Sequence, residues 1–415
     1  MKAILDVSLL GQGFYYPKAR TGIFRVVENL AALLPEISQE LSLYYADTLD
    51  LPATLRYFED NLTLQNIKLA NNDSQVSKAR FDNSLLSMFA LNSIPQKIIK
   101  RILYKLHSHD AVFQASLLDS SSVYHSPYFP IPEQVQNRRK LSKLITIHDL
   151  IPIKYPQYFE NQTENVVHKI VKSIQKDNFA VCVSEATKVD LLEITGMAEE
   201  QVFVSSLAAS ASLFYPVFNQ EVINQTLAKY AISSSKPYFL SISTLEPRKN
   251  IDTVIKSFAE LVVQEKIDDL QLVLVGTKGW DFDKIFQAIN VSPSLKDRIV
   301  VTGYVPDEDL APLYSGALGF VYMSFCEGFG LPPLEAMQCG TPVISSNTTS
   351  LPEVIGDAGI LLAPTDRSSI SQAMIDLYRN AELRASLKSK SILRAGLFSW
   401  QKYVNENYQI YQKIG

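Results

Sequence analysis

The sequence predicts an α/β protein of two parallel-sheet domains. Three observations carry that reading. Short apolar runs alternate with segments of helical period along most of the chain, an order that builds parallel strands joined by right-handed crossovers. The chain is 415 residues long, enough for two or three domains that each bury a core without staples. A small, polar, proline-containing stretch at 208–220 separates two such alternating blocks. It puts a first domain at 1–217 and a second at 218–396, with 397–415 as a closing helix.

In chain order, 3–9 reads as the first strand and 11–20, rich in Gly, Tyr and basic residues, as a loop. Residues 21–34 place Ile23, Val26, Val27, Leu30 and Leu34 at helical spacing. This opening resembles a dinucleotide-binding fold, but it lacks G-x-G-x-x-G, so NAD is not indicated. Residues 45–120 carry a weak pattern, with 71–77 polar and loop-like. Within them 95–107 is an amphipathic helix. Ile98, Ile99, Ile102, Leu103 and Leu106 form one stripe, and Lys97, Lys100, Arg101 and Lys105 the other. Such a helix can lie on an anionic membrane surface, although a packed helix with a solvated basic face is the more ordinary expectation. Strands follow at 122–125, 143–147, 178–183 and 202–206. The second of these runs into His148 and Asp149, and open α/β sheets gather ligand contacts at the C-terminal ends of their strands. Ser184 is placed to cap the helix after the third. The second block has strands at 238–242, 270–275, 299–302, 317–323, 342–345 and 359–363, with a helix at 251–264. Beyond Asp366 the chain reads as helical.

Net charge is −4 and the pI near 5.8, so no basic field invites nucleic acid. Three cysteines fit neither a disulfide framework nor a zinc site, and Cys326 beside Glu327 reads as a small loop residue. No signal peptide and no run of 18 apolar residues are seen, which makes a cytoplasmic setting the expectation. The N-x-S/T triplets at Asn61 and Asn161 are then chance matches. The Asp281–Asp283 D-F-D reads as a turn, not a metal motif.

The most informative stretch is E-G-F-G-L-P-P-L-E, from Glu327 to Glu335. An apolar run precedes it, and a helix opening at its prolines follows. Gly328 and Gly330 let the backbone approach a ligand. A helix N-terminus there offers N–H groups to an anion or to hydroxyls. Glu327 is expected in the loop and Glu335 on the first helical turn, both facing one crevice. Upstream, T-L-E-P-R-K-N follows the 238–242 strand. Its Arg248 can grip a diphosphate in two-pronged fashion, Lys249 adds a point charge, and Asn250 is placed to cap the next helix.

These motifs resemble those of retaining, nucleotide-sugar-dependent glycosyltransferases of glycosyltransferase family 4, closely over 241–353 and more loosely elsewhere. The resemblance implies the GT-B fold, two Rossmann-like domains facing a cleft with a terminal helix crossing back to the first. It implies His148 near the donor sugar, Glu335 on the ribose, and Glu327 on the sugar or diphosphate side. Phe329, Gly330 and Leu331 would offer main-chain N–H groups to the diphosphate and sugar, and Gly303, Tyr304 and Val305 would hold the base. Gly22, Arg25, Asp149 and Ser184 would line the cleft on the acceptor side. It implies no metal and no cofactor beyond the donor. GDP-mannose is the first donor expected and a UDP-sugar the second, with a glycan or polyprenyl-linked acceptor in surface polysaccharide or O-antigen synthesis. Alternatives are a UDP-hexose or deoxyhexose transferase, an epimerase or phosphorylase on the same fold, and a catalytically silent nucleotide-sugar-binding module.

Overall fold

The computed structural model describes residues 1–415 except 17–19, 21, 62–63, 65–66, 107–110, 160–164, 278, 280–294 and 296. The D-F-D motif, Thr21, His107 and Asn161 lie outside the described residues. Two six-stranded sheets form, with every pair of neighbouring strands parallel. The first has the order β2-β1-β3-β4-β5-β6, from β1 (Lys2–Asp6), β2 (Ser42–Ala46), β3 (Val123–Ser126), β4 (Ser142–Ile147), β5 (Asn178–Cys182) and β6 (Val202–Val204). The second has the order β12-β11-β10-β7-β8-β9, from β7 (Tyr238–Ile242), β8 (Gln271–Val275), β9 (Ile299–Gly303), β10 (Gly319–Tyr322), β11 (Val343–Ser346) and β12 (Gly359–Leu362). Helices cover both faces, so central strands such as β8 and β10 are buried along their whole length.

Three local expectations fail, each for a physical reason. The first strand ends at Asp6, and α1 (Ser8–Tyr15) replaces most of the expected loop. Its glycines serve close packing: a Cβ on Gly11 would meet Thr54 Oγ1 at 2.5 Å, and one on Gly13 the Phe24 ring at 2.1 Å. Polar 71–77 is no loop but the start of α4 (Asp73–Leu86), where the Asn72 side chain accepts the Gln75 N–H. Asn250 does precede α8 (Ile251–Gln264), yet its side chain does not cap it. The amide donates to the carbonyls of Met323 and Pro364, from a backbone φ of 55°.

The chain between β2 and β3 forms α3 (Leu51–Asp60), α4, α5 (Ile94–Leu106) and α6 (Ala115–Ser120), after α2 (Gly22–Ile37) has covered the sheet. The amphipathic helix expected at 95–107 is α5, but its apolar stripe is not packed away. Ile94, Ile98, Ile102 and Leu106 are 75, 52, 51 and 71% exposed, and Gln96 is the buried residue of the helix.

Further along come α7 (Glu185–Thr195), α8, α9 (Asp307–Gly316), α10 (Leu331–Gln338) and, at the end, α11 (Trp400–Ile414). Helix α11 returns to the first sheet and packs on α2. Trp400, Tyr403, Val404 and Tyr411 join the core that holds Leu30 and Leu34, which makes Trp400 a packing residue. Tyr411 Oη lies 2.6 Å from His125 Nδ1, and the other ring nitrogen lies 2.7 Å from Thr146 Oγ1. Burial pulls the His125 pKa down to about 3, so the ring is neutral and both its nitrogens are satisfied. Replacing Tyr411→Phe leaves one buried ring nitrogen without a partner. The expected cost is about 1–3 kcal/mol in urea unfolding, and an unchanged midpoint and slope would refute the role given to this bond.

Candidate active site

Four loops at C-terminal strand ends meet between the sheets. The loop after β4 carries His148 and Asp149, that after β7 Arg248 and Lys249, and that after β10 Glu327 to Gly330. The loop after β9 carries Gly303, Tyr304 and Val305. Parallel strands bring these loops to one side of each sheet.

Glu327 is the centre of the cluster. Its Oε1 accepts Lys249 Nζ at 2.6 Å and the Tyr322 hydroxyl at 2.8 Å, and Arg248 Nη1 lies 3.1 Å from Oε2. Burial alone would raise its pKa, but Lys249 and Arg248 outweigh that and hold it at about 2. Burial pulls Lys249 down while Glu327 pulls it up, and a carboxylate 2.6 Å away keeps it an ion pair. Arg248 is further pinned by Glu246 Oε1 at 2.8 Å and by the Cys326 carbonyl at 2.7 Å. Cys326 is buried and its thiol is pushed up to about 12, chiefly by burial, which removes any case for a thiolate. Thr349 and Ser350 hold the loop itself. The Glu327 N–H goes to Thr349 Oγ1, and Ser350 Oγ donates to the carbonyls of Glu327 and Phe329.

The loop touches the first domain directly. A Cβ on Gly328 would sit 2.0 Å from the His148 carbonyl oxygen, so only glycine fits. Ser184 Oγ accepts the Thr187 N–H, as a cap should, and donates to the Gly328 carbonyl at 2.7 Å. Glu353 accepts the N–H groups of Glu185 and Ala186 at the start of α7. His148 Nε2 donates to the Pro127 carbonyl at 2.8 Å, which leaves Nδ1 as the acceptor nitrogen. Burial lowers its pKa to about 4, so the ring is neutral near pH 7. The Asp149 carboxylate accepts from Ile151 N–H and so caps its own loop. His148, Asp149, Tyr128 and Arg248 line a cavity of about 260 Å³ between the domains.

Glu335 lies one residue beyond the first turn of α10, not on it. It accepts the Tyr314 hydroxyl at 3.1 Å and stands 3.4 Å from Arg25 Nη1. Arg25 also binds Asp307 at 2.6 Å and covers the Phe214 ring. Arg25 thus sits on carboxylates of the second domain, a partnership the sequence reading did not include. Gly22 approaches Leu331, the first residue of α10. In α10 the prolines at 332 and 333 donate no N–H, so Leu331 and the preceding Gly330, at φ 115°, supply the amides at its mouth. At the base position, Val305 is buried in the core and Tyr304 is 46% exposed. The Gly303 carbonyl accepts from Gly276 N–H. Glu246, Tyr322, Asp307, Tyr314 and Glu353 also went unread. Glu246 stands within T-L-E-P-R-K-N and Glu353 in the S-L-P-E-V that follows the 342–345 strand, and their charge was the available signal.

Two parallel sheets facing one crevice, with a buried carboxylate–cation cluster on one side and a histidine on the other, make the two-domain arrangement of the GT-B fold. The sequence profile of the glycosyl transferases group 1 matches residues 222–394. The chain is 32% identical over 293 residues to O-antigen chain mannosyltransferase B of Escherichia coli, covering 70% of this chain and 74% of that one. It belongs to that family of glycosyltransferases. It is also 28% identical over 256 residues to the serotype-specific mannosyltransferase WbdA of Escherichia coli, 61% of this chain but only 31% of that longer protein. Sucrose-phosphate synthase from Thermosynechococcus elongatus superposes with a TM-score of 0.67 at 20% identity, over 100% of this chain and 98% of that one, a likeness of fold.

Burial raises the Glu335 pKa from 4.5 to about 7, against the opposing pull of Arg25 and Tyr314. A carboxyl raised on folding stabilises fully below its unfolded value and loses that contribution as pH rises through the folded one. Between pH about 4.5 and about 7, wild type should therefore lose on the order of 3 kcal/mol that Glu335→Gln keeps. Melting temperatures of the two proteins should diverge over that window, and parallel curves would contradict the assignment.

Proposed function

We propose that the protein is a retaining hexosyltransferase that moves mannose from GDP-mannose onto a glycan or polyprenyl-linked acceptor during surface polysaccharide or O-antigen assembly. The observation that carries this reading is the Arg248–Glu327–Lys249 cluster, set against His148 of the other domain. A departing diphosphate needs its charge met as it develops. Arg248 and Lys249 supply two cations, and the amides of Phe329, Gly330 and Leu331 supply dipoles, with no metal called on. Glu327 takes hydroxyls of the sugar when the cations turn to the diphosphate. Glu335 takes the ribose hydroxyls in place of Arg25. His148, neutral, accepts a sugar hydroxyl through Nδ1. Closure excludes water and favours transfer over hydrolysis. The acceptor attacks the face the diphosphate leaves, which retains configuration. The mannosyltransferase relatives favour mannose, and a UDP-hexose or deoxyhexose donor is the second choice.

The setting proposed is the cytoplasmic face of a membrane. No helix among the described residues is long and apolar enough to cross one. What supports apposition is α5, which carries four basic residues and no acidic one in a chain of net charge −4, beside its exposed isoleucines.

Two experiments test these readings. A thermal-shift screen against GDP-, UDP-, dTDP- and CMP-sugars should raise the melting temperature with GDP-mannose, by about 2.7 kcal/mol of stabilisation at a hundred times Kd. Arg248→Ala or Lys249→Ala should lower kcat/KM by about 3 kcal/mol. No shift with any nucleotide, or wild-type turnover in the variants, would sink the transferase reading. Separately, the protein should co-sediment with phosphatidylglycerol-containing vesicles and not with phosphatidylcholine, lose binding in salt, and lose it in Ile98→Glu/Ile102→Glu. Vesicle binding unchanged in that variant would remove the membrane assignment.

A further inference from the structure

The first domain holds a second and larger cavity, about 450 Å³, within the range of small-molecule sites. It opens beside Asp47, at the C-terminal end of β2, and is walled by α3, α4 and α5. His148 follows β4, three strands away in the order β2-β1-β3-β4, which is roughly 14 Å at one strand spacing each. Both lie at the C-terminal edge of one parallel sheet.

The lining decides the class of ligand. Asp50, Gln75, Lys78, Asp82, Lys100 and Tyr104 all contribute. With Asp47 the wall carries three carboxylates against two ammonium groups, and Lys100 is paired to Asp50 at 2.8 Å. That near-balance suits neither a phosphate nor a cation. Many donors and acceptors around little net charge suit a neutral polyol, and Tyr104, 61% exposed, offers a ring face for a pyranose to stack on. The floor is rigid. Asp47 accepts the N–H groups of Leu49 and Asp50 and the Thr54 hydroxyl, and Asn71 spans the Asp47 N–H and carbonyl. The same helix divides its faces: Lys100, Leu103 and Tyr104 turn to the cavity, while Ile98 and Ile102 do not line it.

We propose that this cavity is a subsite for sugar residues of the acceptor glycan, set back from the one that receives the transferred hexose. The proposal rests on the transferase reading above.

The test uses the full chain and fluorescently labelled manno-, gluco- and N-acetylglucosamine oligosaccharides, from mono- to pentasaccharide. In one series affinity should rise by about tenfold or more with length, worth about 1.4 kcal/mol. Hydrogen exchange should slow on α4 and α5 when the longer members bind. Ser74→Trp puts an indole at the mouth from an exposed position on the first turn of α4, and Tyr104→Ala removes the platform. Both should abolish the gain with length while the nucleotide thermal shift persists. Affinity flat with length in every series, a gain that survives Ser74→Trp, or protection elsewhere would overturn the subsite. A nucleotide shift with a flat length series defeats this inference alone. Absence of both defeats the transferase reading beneath it.

Discussion

The Glu327 carboxylate between Lys249 and Arg248 is the interaction on which the second domain's site depends. The three side chains are 11, 12 and 14% exposed, and a lone charge at that depth would cost several kcal/mol. Each is tolerated because the others are present. With Glu246 on Arg248, two cations face two carboxylates, and the charges of the cluster balance. This explains the fold around it. Tyr322 comes from β10 and the two cations from the loop after β7, strands that are neighbours in the sheet, while Thr349 and Ser350 fix the loop from behind. On the proposed reading, an arriving diphosphate exchanges one set of anionic partners for another. The cations need no desolvation at that moment, because folding has already done it.

Closure follows from the same loop. Among the contacts that join the domains are the Ser184 and Thr187 hydroxyls on the Gly328 carbonyl, Glu353 on the start of α7, and Arg25 on Asp307 and Glu335. They leave about 260 Å³ beside His148, smaller than typical ligand pockets. On the proposed reading, a donor enters with the domains apart. Each of these contacts has an acceptor in the 327–353 segment, at Gly328, Glu353 or Glu335, so on the proposed reading donor binding and closure act on one piece of backbone. Glycine at 328 is the condition for its close approach to His148.

Much of this was legible in the sequence, and unevenly. Strands β7 to β12 stood out because each is a short apolar run bounded by Gly, Pro or charge, and β7, β8, β10 and β11, buried on both faces, read that way for a physical reason. His148, Arg248, Lys249 and Glu327 could be placed at strand ends because polar residues follow such runs directly. The misreadings came where one residue type serves two purposes. Gly11 and Gly13 signalled a loop, but they let α1 press on Thr54 and Phe24. Asn72 began a polar stretch that proved to be a helix cap. Arg25 gave no local sign of its partners, since Asp307 and Glu335 are brought to it only by the meeting of two domains.

The least legible region is also the one the common architecture does not require. A parallel crossover needs a dozen or more residues and usually one helix. Residues 323–342 join β10 to β11 in that way, through α10, whereas 47–122 join β2 to β3 through four helices among the described residues. Ordering so much chain costs conformational entropy that must be met by burial, yet α5 leaves its isoleucines in the open. Stability alone does not account for such an elaboration. On the proposed reading, the donor site gains nothing from it, being made of tight loops at the ends of strands in the second sheet and at β4. What it adds is a charge-balanced polar cavity on one side of α5 and a basic, apolar surface on the other. In a glycosyltransferase, those are the two surfaces that an acceptor with a sugar chain and a lipid end would need.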